Sequence, residues 1–368
     1  MKFSVVLTTI NVPYALEAYV KNAKKFEYSD VEFIVMGDHK TPAETYNLID
    51  RLNLESGYRF CYMGVREQEK LHRFDELKNF LPWNSISRRN LGYLIAYEHQ
   101  ADVIISIDDD NIPLENCDFF GANSIVGKEI SCFEVESSSG WFNIGTMMQT
   151  NPPGRLYVRG FPLSKRWIEN KDTFKQVKSV IKVNAGLCVG DPDVDTFTRI
   201  AYPCCITALN TPQLILSCNT WSPFNSQSTA FHRSLIPCMF LITFREGSEI
   251  LAGNNTFRLD DIWMSYFIKL IMNKFGDRVC YGLPYLQQNR NFHNYSEDLR
   301  RELPALRMTD RLIELLDSIH LQSSNYQDCY DELIEILAST TKFSGVESQW
   351  LSEMVEGMRI WSRTTKRL

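Results

Sequence analysis

Hydrophobic runs alternate with amphipathic stretches through the first third of the chain. Three apolar runs have the length and composition of buried strands: residues 3–10 (FSVVLTTI), 31–36 (VEFIVM) and 102–107 (DVIISI). Helical spacing follows the first run at residues 13–26, and a shorter strand is predicted at residues 58–63. Strands that alternate with helices predict an α/β fold with parallel pairing and right-handed crossovers.

Local signals predict where two further helices begin. Thr41 is the predicted cap of the helix after the second strand, because Glu44 follows at capping-box spacing. Either Ser85 or Ser87 is the predicted cap of a later helix, whose apolar residues have i, i+3, i+4 spacing. Each helix would return the chain to the start of the next parallel strand.

The pattern changes after residue 130. Turn signals such as Asn151-Pro152-Pro153-Gly154 divide residues 130–255 into predicted short strands and long loops. A strongly apolar helix is predicted at residues 258–275, with Gly276 as its C-cap, and helical spacing continues from Glu297 onward. We therefore predict a Rossmann-like domain with a mostly parallel sheet flanked by helices at 1–296, in halves 1–130 and 131–296, and a helical C-terminal region at 297–368.

Composition limits the class of protein. The 368 residues carry a net charge of −6, which excludes the global basic field of general nucleic-acid binders. None of the ten cysteines forms a C-x-x-C pair, and we interpret them as buried thiols in a reducing compartment. The longest later apolar stretch, residues 235–244, is too short to span a membrane. A soluble cytoplasmic protein is predicted.

Polar side chains fall at the carboxyl ends of three predicted strands: Thr8 and Thr9, Asp38, and Asp108–Asp110. In open α/β sheets, ligands bind outside the carboxyl ends of the strands, where these side chains would meet. The sequence therefore predicts a binding site at this edge of the sheet.

Three successive aspartates at a strand end repel one another unless a cation or hydrogen-bond donors compensate. Mn²⁺ and Mg²⁺ take carboxylate oxygens and commonly bridge to a ligand's phosphates. We therefore predict metal ligation by Asp108 and Asp110; the alternative is a solvated acidic turn. His293, in a polar irregular stretch, is a further candidate ligand, although a lone histidine is more often structural.

Two other groups carry candidate chemistry. One of Asp260 and Asp261 would favour the positive end of the apolar helix, and the other would act as a catalytic base or position an acceptor hydroxyl. Arginines bind phosphate through paired donors, so Arg159 and one of Arg88 and Arg89 are candidate diphosphate ligands. The alternative for these arginines is surface solubility.

Taken in order, six segments resemble the reversibly glycosylated polypeptide family, which includes the plant UDP-arabinopyranose mutases. More loosely, the chain is similar to nucleotide-sugar transferases of the GT-A fold. The matching segments lie at 107–110 (IDDD), 158–164 (VRGFPLS), 186–195 (GL and DPDVD), 230–233 (AFHR), 258–263 (RLDDIW) and 282–285 (GLPY).

The resemblance implies a GT-A fold, a UDP-sugar donor and a divalent metal at the aspartate triplet. Arg159 occupies the position of the family arginine that is linked to self-glycosylation and mutase activity. Three departures from the family pattern fall on the sugar or acceptor side: Phe161 with Leu163, Leu286-Gln287 in place of tryptophan-histidine, and residues 227–229 (QST). The predicted nucleotide-sugar ligands are Thr8, Thr9, Asp38, Arg88, Arg89, Asp108 and Asp109, and the predicted catalytic residues are Arg159, Asp260 and Asp261.

The leading hypothesis is a metal-dependent glycosyltransferase, with Mn²⁺ or Mg²⁺ and a UDP-sugar donor. Its acceptor is unidentified: a glycan, a protein, a small molecule or a modified nucleic-acid base. The first alternative is a UDP-sugar mutase or self-glycosylating protein that uses the same site. A nucleotidyltransferase lacks support, because no glycine-rich phosphate loop follows the first strand, and a scaffold with a dead site is the non-enzyme alternative. A homo-oligomer formed through the C-terminal helices is a further expectation.

Overall fold

The computed structural model describes residues 1–209, 213–253, 255–289 and 294–368. Its first third follows the predicted alternation of strands and helices. The elements are β1 (Phe3–Thr8), α1 (Ala15–Lys25), β2 (Val31–Met36), α2 (Glu44–Ser56), β3 (Arg59–Met63), α3 (Val65–Glu69), α4 (Asp75–Phe80), α5 (Arg89–Glu98) and β4 (Val103–Ile107).

The second part contains more strands and fewer connecting helices before its helical end. It comprises β5 (Asn111–Pro113), α6 (Phe119–Asn123), β6 (Glu129–Ser137), β7 (Met148–Asn151), β8 (Asp172–Gly190), α7 (Thr196–Ala201), β9 (Cys205–Leu209), β10 (Leu214–Leu216), β11 (Ser228–His232), α8 (Asp260–Phe275), β12 (Arg278–Gln288), α9 (Tyr295–Leu316), α10 (Tyr326–Ser339) and α11 (Val346–Thr365). The apolar helix ends at Gly276, which adopts the predicted left-handed cap conformation with φ 74°.

One large sheet runs through the molecule in the order β3-β2-β1-β4-β11-β8-β6-β10-β12-β5, with β7 and β9 attached to it. Strands β3, β2, β1 and β4 are parallel, whereas β11 pairs antiparallel with β4 and β8, and β6 pairs antiparallel with β8. The α/β class with flanking helices is confirmed. Parallel pairs predominate only in the first half of the sheet. Parallel neighbours need long crossover connections, and in the described ranges the short α7 is the one α-helix between β6 and β11.

Strand β8 is much longer than the short strands predicted for this region. It spans 19 residues, and its first half is largely exposed, from Asp172 to Gln176. Polar residues on a solvent-facing half-strand leave little hydrophobic periodicity, so the sequence pattern did not reveal its length. Its buried second half, by contrast, delivers Gly190 to the edge where the predicted site lies.

The start of α2 differs from the predicted capping box. The helix begins at Glu44 without a side-chain cap. The Thr41 hydroxyl instead donates to the carbonyl of Thr9 at 2.6 Å and accepts from the backbone N–H of Asp38 at 2.7 Å. Thr41 therefore ties the loops after β1 and β2 together, and tertiary contact has overridden the local capping signal.

The C-terminal helices pack on one face of the sheet with α5 and α8. Residues from β1, α5, α8 and all three C-terminal helices share a single hydrophobic core. Trp361 of α11 is fully buried, and its indole N–H donates to the carbonyls of Ile236 and Pro237 at 3.0 and 3.1 Å. Among the described residues, no helix has the length and apolar character needed to cross a membrane.

Candidate functional site

The carboxyl ends of β1, β2 and β4 meet at one edge of the sheet and surround a cavity of about 250 Å³. This first cavity is lined by Thr8, Thr9, Asp38, Arg89 and the Asp108–Asp110 triplet. Parallel pairing with register Thr8↔Met36 and Val6↔Ser106 brings these strand ends together. The residues predicted to bind the nucleotide-sugar therefore line one cavity, with the single exception of Arg88.

Arg89 and Thr9 hold two of the aspartates in place. The guanidinium of Arg89, only 1% exposed, donates to Asp108 at 2.7 Å and to Thr8 at 3.1 Å. The Thr9 hydroxyl donates to Asp109 at 2.5 Å. Burial, with a smaller effect from repulsion by Asp108, raises the pKa of Asp109. Arg89 thus compensates part of the triplet's negative charge from beneath the cavity.

A second cavity of about 190 Å³ adjoins the first and shares Ile86, Asp108, Asp110 and Thr256 with it. Its other walls come from the segment after β7, the end of β8, the start of α8 and the end of β12. They carry Arg159, Asp193, Gln227, Arg258, Asp260, Asp261 and Gln288. The first and second cavities thus form one continuous cleft across the aspartate triplet.

Arg159 organises the second cavity. Its guanidinium makes paired hydrogen bonds to Asp193 at 2.9 and 3.1 Å and to Asp261 at 3.0 and 3.1 Å. It also donates to the carbonyl of Arg258 at 2.6 Å, so all five of its N–H groups are used. Burial alone would lower the pKa of Arg159, but attraction by Asp193 and Asp261 outweighs burial and raises it well above the usual range.

Gly160 fixes the turn that presents Arg159. Its φ of 83° lies in the left-handed region, and a Cβ there would meet the side chain of Ile262 at 2.1 Å. Its carbonyl also accepts a hydrogen bond from the hydroxyl of Tyr266 on α8. A glycine is therefore needed for this segment to lie against α8.

The two neighbouring aspartates at the start of α8 have different surroundings. Besides binding Arg159, Asp261 accepts from the backbone N–H and hydroxyl of Ser226 at 2.8 and 3.1 Å. Asp260 is 4% exposed, and its Oδ2 has no hydrogen-bond partner in the described parts of the chain. Burial, followed by repulsion from Asp261, raises the pKa of Asp260 well above its usual range. Asp260 therefore binds a proton more strongly than an ordinary aspartate does, as a residue that accepts a proton during a reaction needs to.

Helix α9 holds the segments that carry these carboxylates. Glu302 is fully buried, accepts from the backbone N–H of Thr196 at 2.8 Å and binds the Arg258 guanidinium at 3.2 Å. One segment follows Asp193 and the other precedes Asp260. Glu302 thus connects the C-terminal helical region to the geometry of the second cavity.

The cleft has a large excess of negative charge. Aspartates 38, 108, 109, 110, 193, 260 and 261 line its two cavities, against arginines 89, 159 and 258. Asp110 borders both cavities, and its neighbour Asn111 starts β5. Carboxylate oxygens are the ligands that hard divalent cations such as Mg²⁺ prefer.

The structure does not gather a complete metal cluster from its described residues. Within those ranges, no group of three or more His, Cys, Asp or Glu side chains is arranged to hold a metal ion. Asp108 and Asp110 flank the junction of the two cavities, while His293, the third predicted ligand, lies outside the described residues. Ligation by Asp108, Asp110 and His293 stays a prediction.

Arg88 lies outside both cavities. Its guanidinium donates to Gln68 Oε1 and to the carbonyls of Lys78 and Leu81, each at 2.9 Å, and stacks on Trp83 at 3.6 Å. Burial lowers the pKa of Arg88 to about 10. The prediction that Arg88 or Arg89 would bind the diphosphate therefore narrows to Arg89, since Arg88 holds the loop between α4 and α5.

Replacing Arg88 with methionine is expected to lower the free energy of unfolding by about 2 kcal/mol, because three acceptors lose their donor. UDP affinity should remain that of the wild-type protein, since the side chain lies behind the cavity wall. Urea denaturation and calorimetric titration with UDP check the two effects. A lost UDP affinity in a folded Arg88→Met protein would contradict this placement.

Comparison with known proteins decides the family. The sequence model of the reversibly glycosylated polypeptide family matches residues 2–368, essentially the whole chain. The chain belongs to the reversibly glycosylated polypeptide family. The resemblance inferred from the six segments is thereby confirmed.

Relatives in this family carry names that refer to one reaction. The chain is 26% identical over 284 residues to UDP-arabinopyranose mutase 3 of Arabidopsis thaliana, covering 74% of this chain and 69% of that protein. It is 23% identical over 331 residues to the protein named probable UDP-arabinopyranose mutase 5 of the same plant, covering 88% and 87%. Among solved structures, a mannosyltransferase from Pyrobaculum calidifontis in complex with GDP-Man and Mn²⁺ is 10% identical, with a TM-score of 0.40 over 98% of this chain and 86% of that one. A likeness at that score does not assign a fold.

Several site residues were not predicted from this reversibly glycosylated polypeptide's sequence. Asp193 was predicted as part of a turn and lies in one of the six matching segments, but no role was assigned to it, although it comes shortly after β8 ends at Gly190. Ser226 supports Asp261 and Arg89 through its backbone and hydroxyl. Gln288 ends β12 at the wall of the second cavity. Only the position of Asp193 at a strand end carried a signal that the sequence could have revealed.

Proposed function

We propose that this chain is a GT-A-type enzyme that transfers a sugar from a UDP-sugar donor with the help of a divalent metal ion. The single observation that carries the proposal is the junction of two cavities at Asp108 and Asp110, with one cavity at the parallel strand ends and the other at Asp260. Family membership and the UDP-sugar named for the relatives support the donor class.

The first cavity would hold the nucleotide. Thr8, Thr9 and Asp38 would face the nucleoside, while Asp108 and Asp109 would lie at the ribose and Arg89 near the diphosphate. Polar groups at the ends of parallel strands are the usual place for such a ligand. The second cavity, beyond the triplet, would then receive the sugar and the acceptor hydroxyl.

A Mn²⁺ or Mg²⁺ ion fits the donor set of this cleft. Seven carboxylates line the cleft against three guanidiniums, and this excess of negative charge would repel a diphosphate unless a cation were bound. Asp108 and Asp110 would hold the metal, and His293 is the remaining proposed ligand. When bound, such an ion supplies charge stabilisation for the departing diphosphate.

Asp260 would act as the general base. The acceptor hydroxyl oxygen forms a bond to the anomeric carbon, the bond from that carbon to the diphosphate breaks, and UDP leaves with the electron pair. The acceptor's proton passes to Asp260, whose raised pKa suits that task. Asp261, already bound to Arg159 and Ser226, would hold the helix start in place.

Binding of UDP with a metal tests the first half of the proposal. At 100-fold over Kd, UDP with Mn²⁺ is expected to stabilise the protein by about 2.7 kcal/mol, measured as a rise in Tm. Asp110→Asn should lose most of that rise, whereas Asp50→Asn, on the exposed face of α2, should retain it. An equal rise for UDP with Mn²⁺ and for UDP with a chelator would overturn metal dependence.

The names of the relatives favour a second candidate, interconversion of a UDP-sugar at the same site. Incubation with UDP-arabinopyranose and no acceptor separates the two: a mutase yields a second UDP-arabinose in solution, whereas a transferase yields only slow hydrolysis. If the sugar of the UDP-arabinopyranose carries a radioactive label, a self-glycosylating protein would itself retain that label. Because every N–H of Arg159 is bonded, loss of label in Arg159→Ala would reflect a damaged site, so peptide mapping must locate the label.

A further inference from the structure

The wall of the second cavity includes buried acceptor atoms on Gln288 and Asp260 that have no hydrogen bond within the described part of the chain. Gln288 and Asp260 are each 4% exposed and both line this cavity. Within the described residues, neither Oε1 of Gln288 nor Oδ2 of Asp260 has a hydrogen-bond partner. Buried acceptors without a donor are costly, and their presence in a cavity wall indicates a ligand that supplies donors.

The strand ladder places Gln288 between the parts of the cleft. On one side, Gln288 is in register with Asn111, which follows Asp110; on the other, it is in register with Gly190, which precedes the Asp193 turn. The backbone N–H of the next residue, Asn289, donates to the carbonyl of Asp110 at 3.2 Å. Gln288 is therefore held rigidly beside the aspartate triplet, on the side away from the strand ends of the first cavity.

We propose that Gln288 is a sugar-recognising residue whose side-chain oxygen accepts a hydrogen bond from a hydroxyl of the donor sugar. This inference rests on the proposed function, in which the UDP portion occupies the first cavity. A diphosphate offers only acceptor oxygens at neutral pH, so it cannot donate a hydrogen bond to the side-chain oxygen of Gln288. A sugar ring offers several hydroxyl donors.

The second cavity is large enough for a ligand bigger than one water molecule. Its volume of about 190 Å³ is well above the roughly 10–15 Å³ that one water molecule needs. Sugar hydroxyls that replace ordered water must reproduce the hydrogen bonds of that water. An acceptor fixed in a strand favours a sugar whose hydroxyl points toward it, so Gln288 would contribute to sugar specificity as well as affinity.

Calorimetric titration of the full chain with UDP and with UDP-arabinopyranose, both with Mn²⁺, tests the inference. Wild-type protein should bind the UDP-sugar more tightly than UDP. Gln288→Met, which keeps the length of the side chain and removes its polar atoms, should weaken binding of the UDP-sugar about tenfold. Its affinity for UDP should not change, and this unchanged affinity also shows that the variant is folded.

Gln349→Met is the matched control, because Gln349 is exposed on α11; it should change neither affinity. Equal weakening for UDP and the UDP-sugar would assign Gln288 a structural role and overturn the inference, as would no weakening of either. A wild-type protein that binds UDP but gains nothing from the sugar would overturn the inference and leave the nucleotide site standing. A wild-type protein that binds neither would overturn the proposed function and the inference with it.

Discussion

Replacing Asp261 with alanine is expected to lower the free energy of unfolding by about 3–5 kcal/mol, the cost of breaking a buried ion pair by removing one partner. The carboxylate binds Arg159 through two hydrogen bonds and Ser226 through two more. Its removal leaves a guanidinium that is 12% exposed with a single carboxylate partner, Asp193. The start of α8 and the segment around Gly160 would then be joined by fewer hydrogen bonds, with those to the carbonyls of Arg258 and Gly160 remaining.

Urea denaturation at neutral pH measures this effect, and Asp260→Asn is the matched control one residue away. Both side chains are buried acids at the first turn of the same helix, so a general helix-dipole effect would act on both alike. Within the described residues, Asp261 is hydrogen-bonded to a guanidinium and Asp260 is not. Equal stability losses in Asp261→Ala and Asp260→Asn would contradict the assignment of different roles.

Asp260→Asn is expected to reduce sugar transfer by about 10²–10⁴-fold, the usual contribution of a general base, while it makes the folded protein more stable at neutral pH. Burial and repulsion by Asp261 raise the pKa of Asp260 in the folded state. The folded protein therefore binds this proton more strongly than the unfolded chain does. The stability that results from this stronger proton binding is fully present below the pKa of the unfolded state, about 3.9, and is lost as the pH rises through the pKa of the folded state.

The stability difference between Asp260→Asn and the wild type should consequently be small in acid and grow toward neutral pH, as followed by Tm in a series of buffers. In the wild type, transfer should fall as the pH drops through the raised pKa of Asp260, well above the usual range of an aspartate. UDP affinity, set by the first cavity, should match that of the wild type. A variant that transfers sugar at the wild-type rate would remove Asp260 from the mechanism.

The half of the fold that could be predicted from sequence is the half built from local signals. Buried strands such as Val31–Met36 are short continuous apolar runs, and parallel pairing follows from the helices between them. The same logic located Asp38 and Asp108 at the ends of the two strands on either side of β1, where they line one cavity. The position of a residue at a strand end can be predicted from sequence, because the geometry of the sheet determines where the strand ends lie.

The remaining features depend on contacts between distant residues. The pairing of β8 with β6, β11 and β12 joins segments with weak periodicity, and no local rule specifies it. Arg88 and Arg89 are adjacent and chemically identical, yet one donates to loop carbonyls and the other to Asp108. Their roles follow from the direction of each side chain on one helical turn, which tertiary packing determines.

The contacts of Glu302 have a consequence for the order of events during synthesis. The ribosome delivers β1 to β4 early, and those parallel strands carry their own local signals. Thr196 and Arg258, however, are fixed by a carboxylate on α9, which is synthesised only after every described strand of the sheet. A nascent chain would therefore form its strand-end cavity first and complete the second cavity last, so UDP could bind before the chain is able to place a sugar beside Asp260.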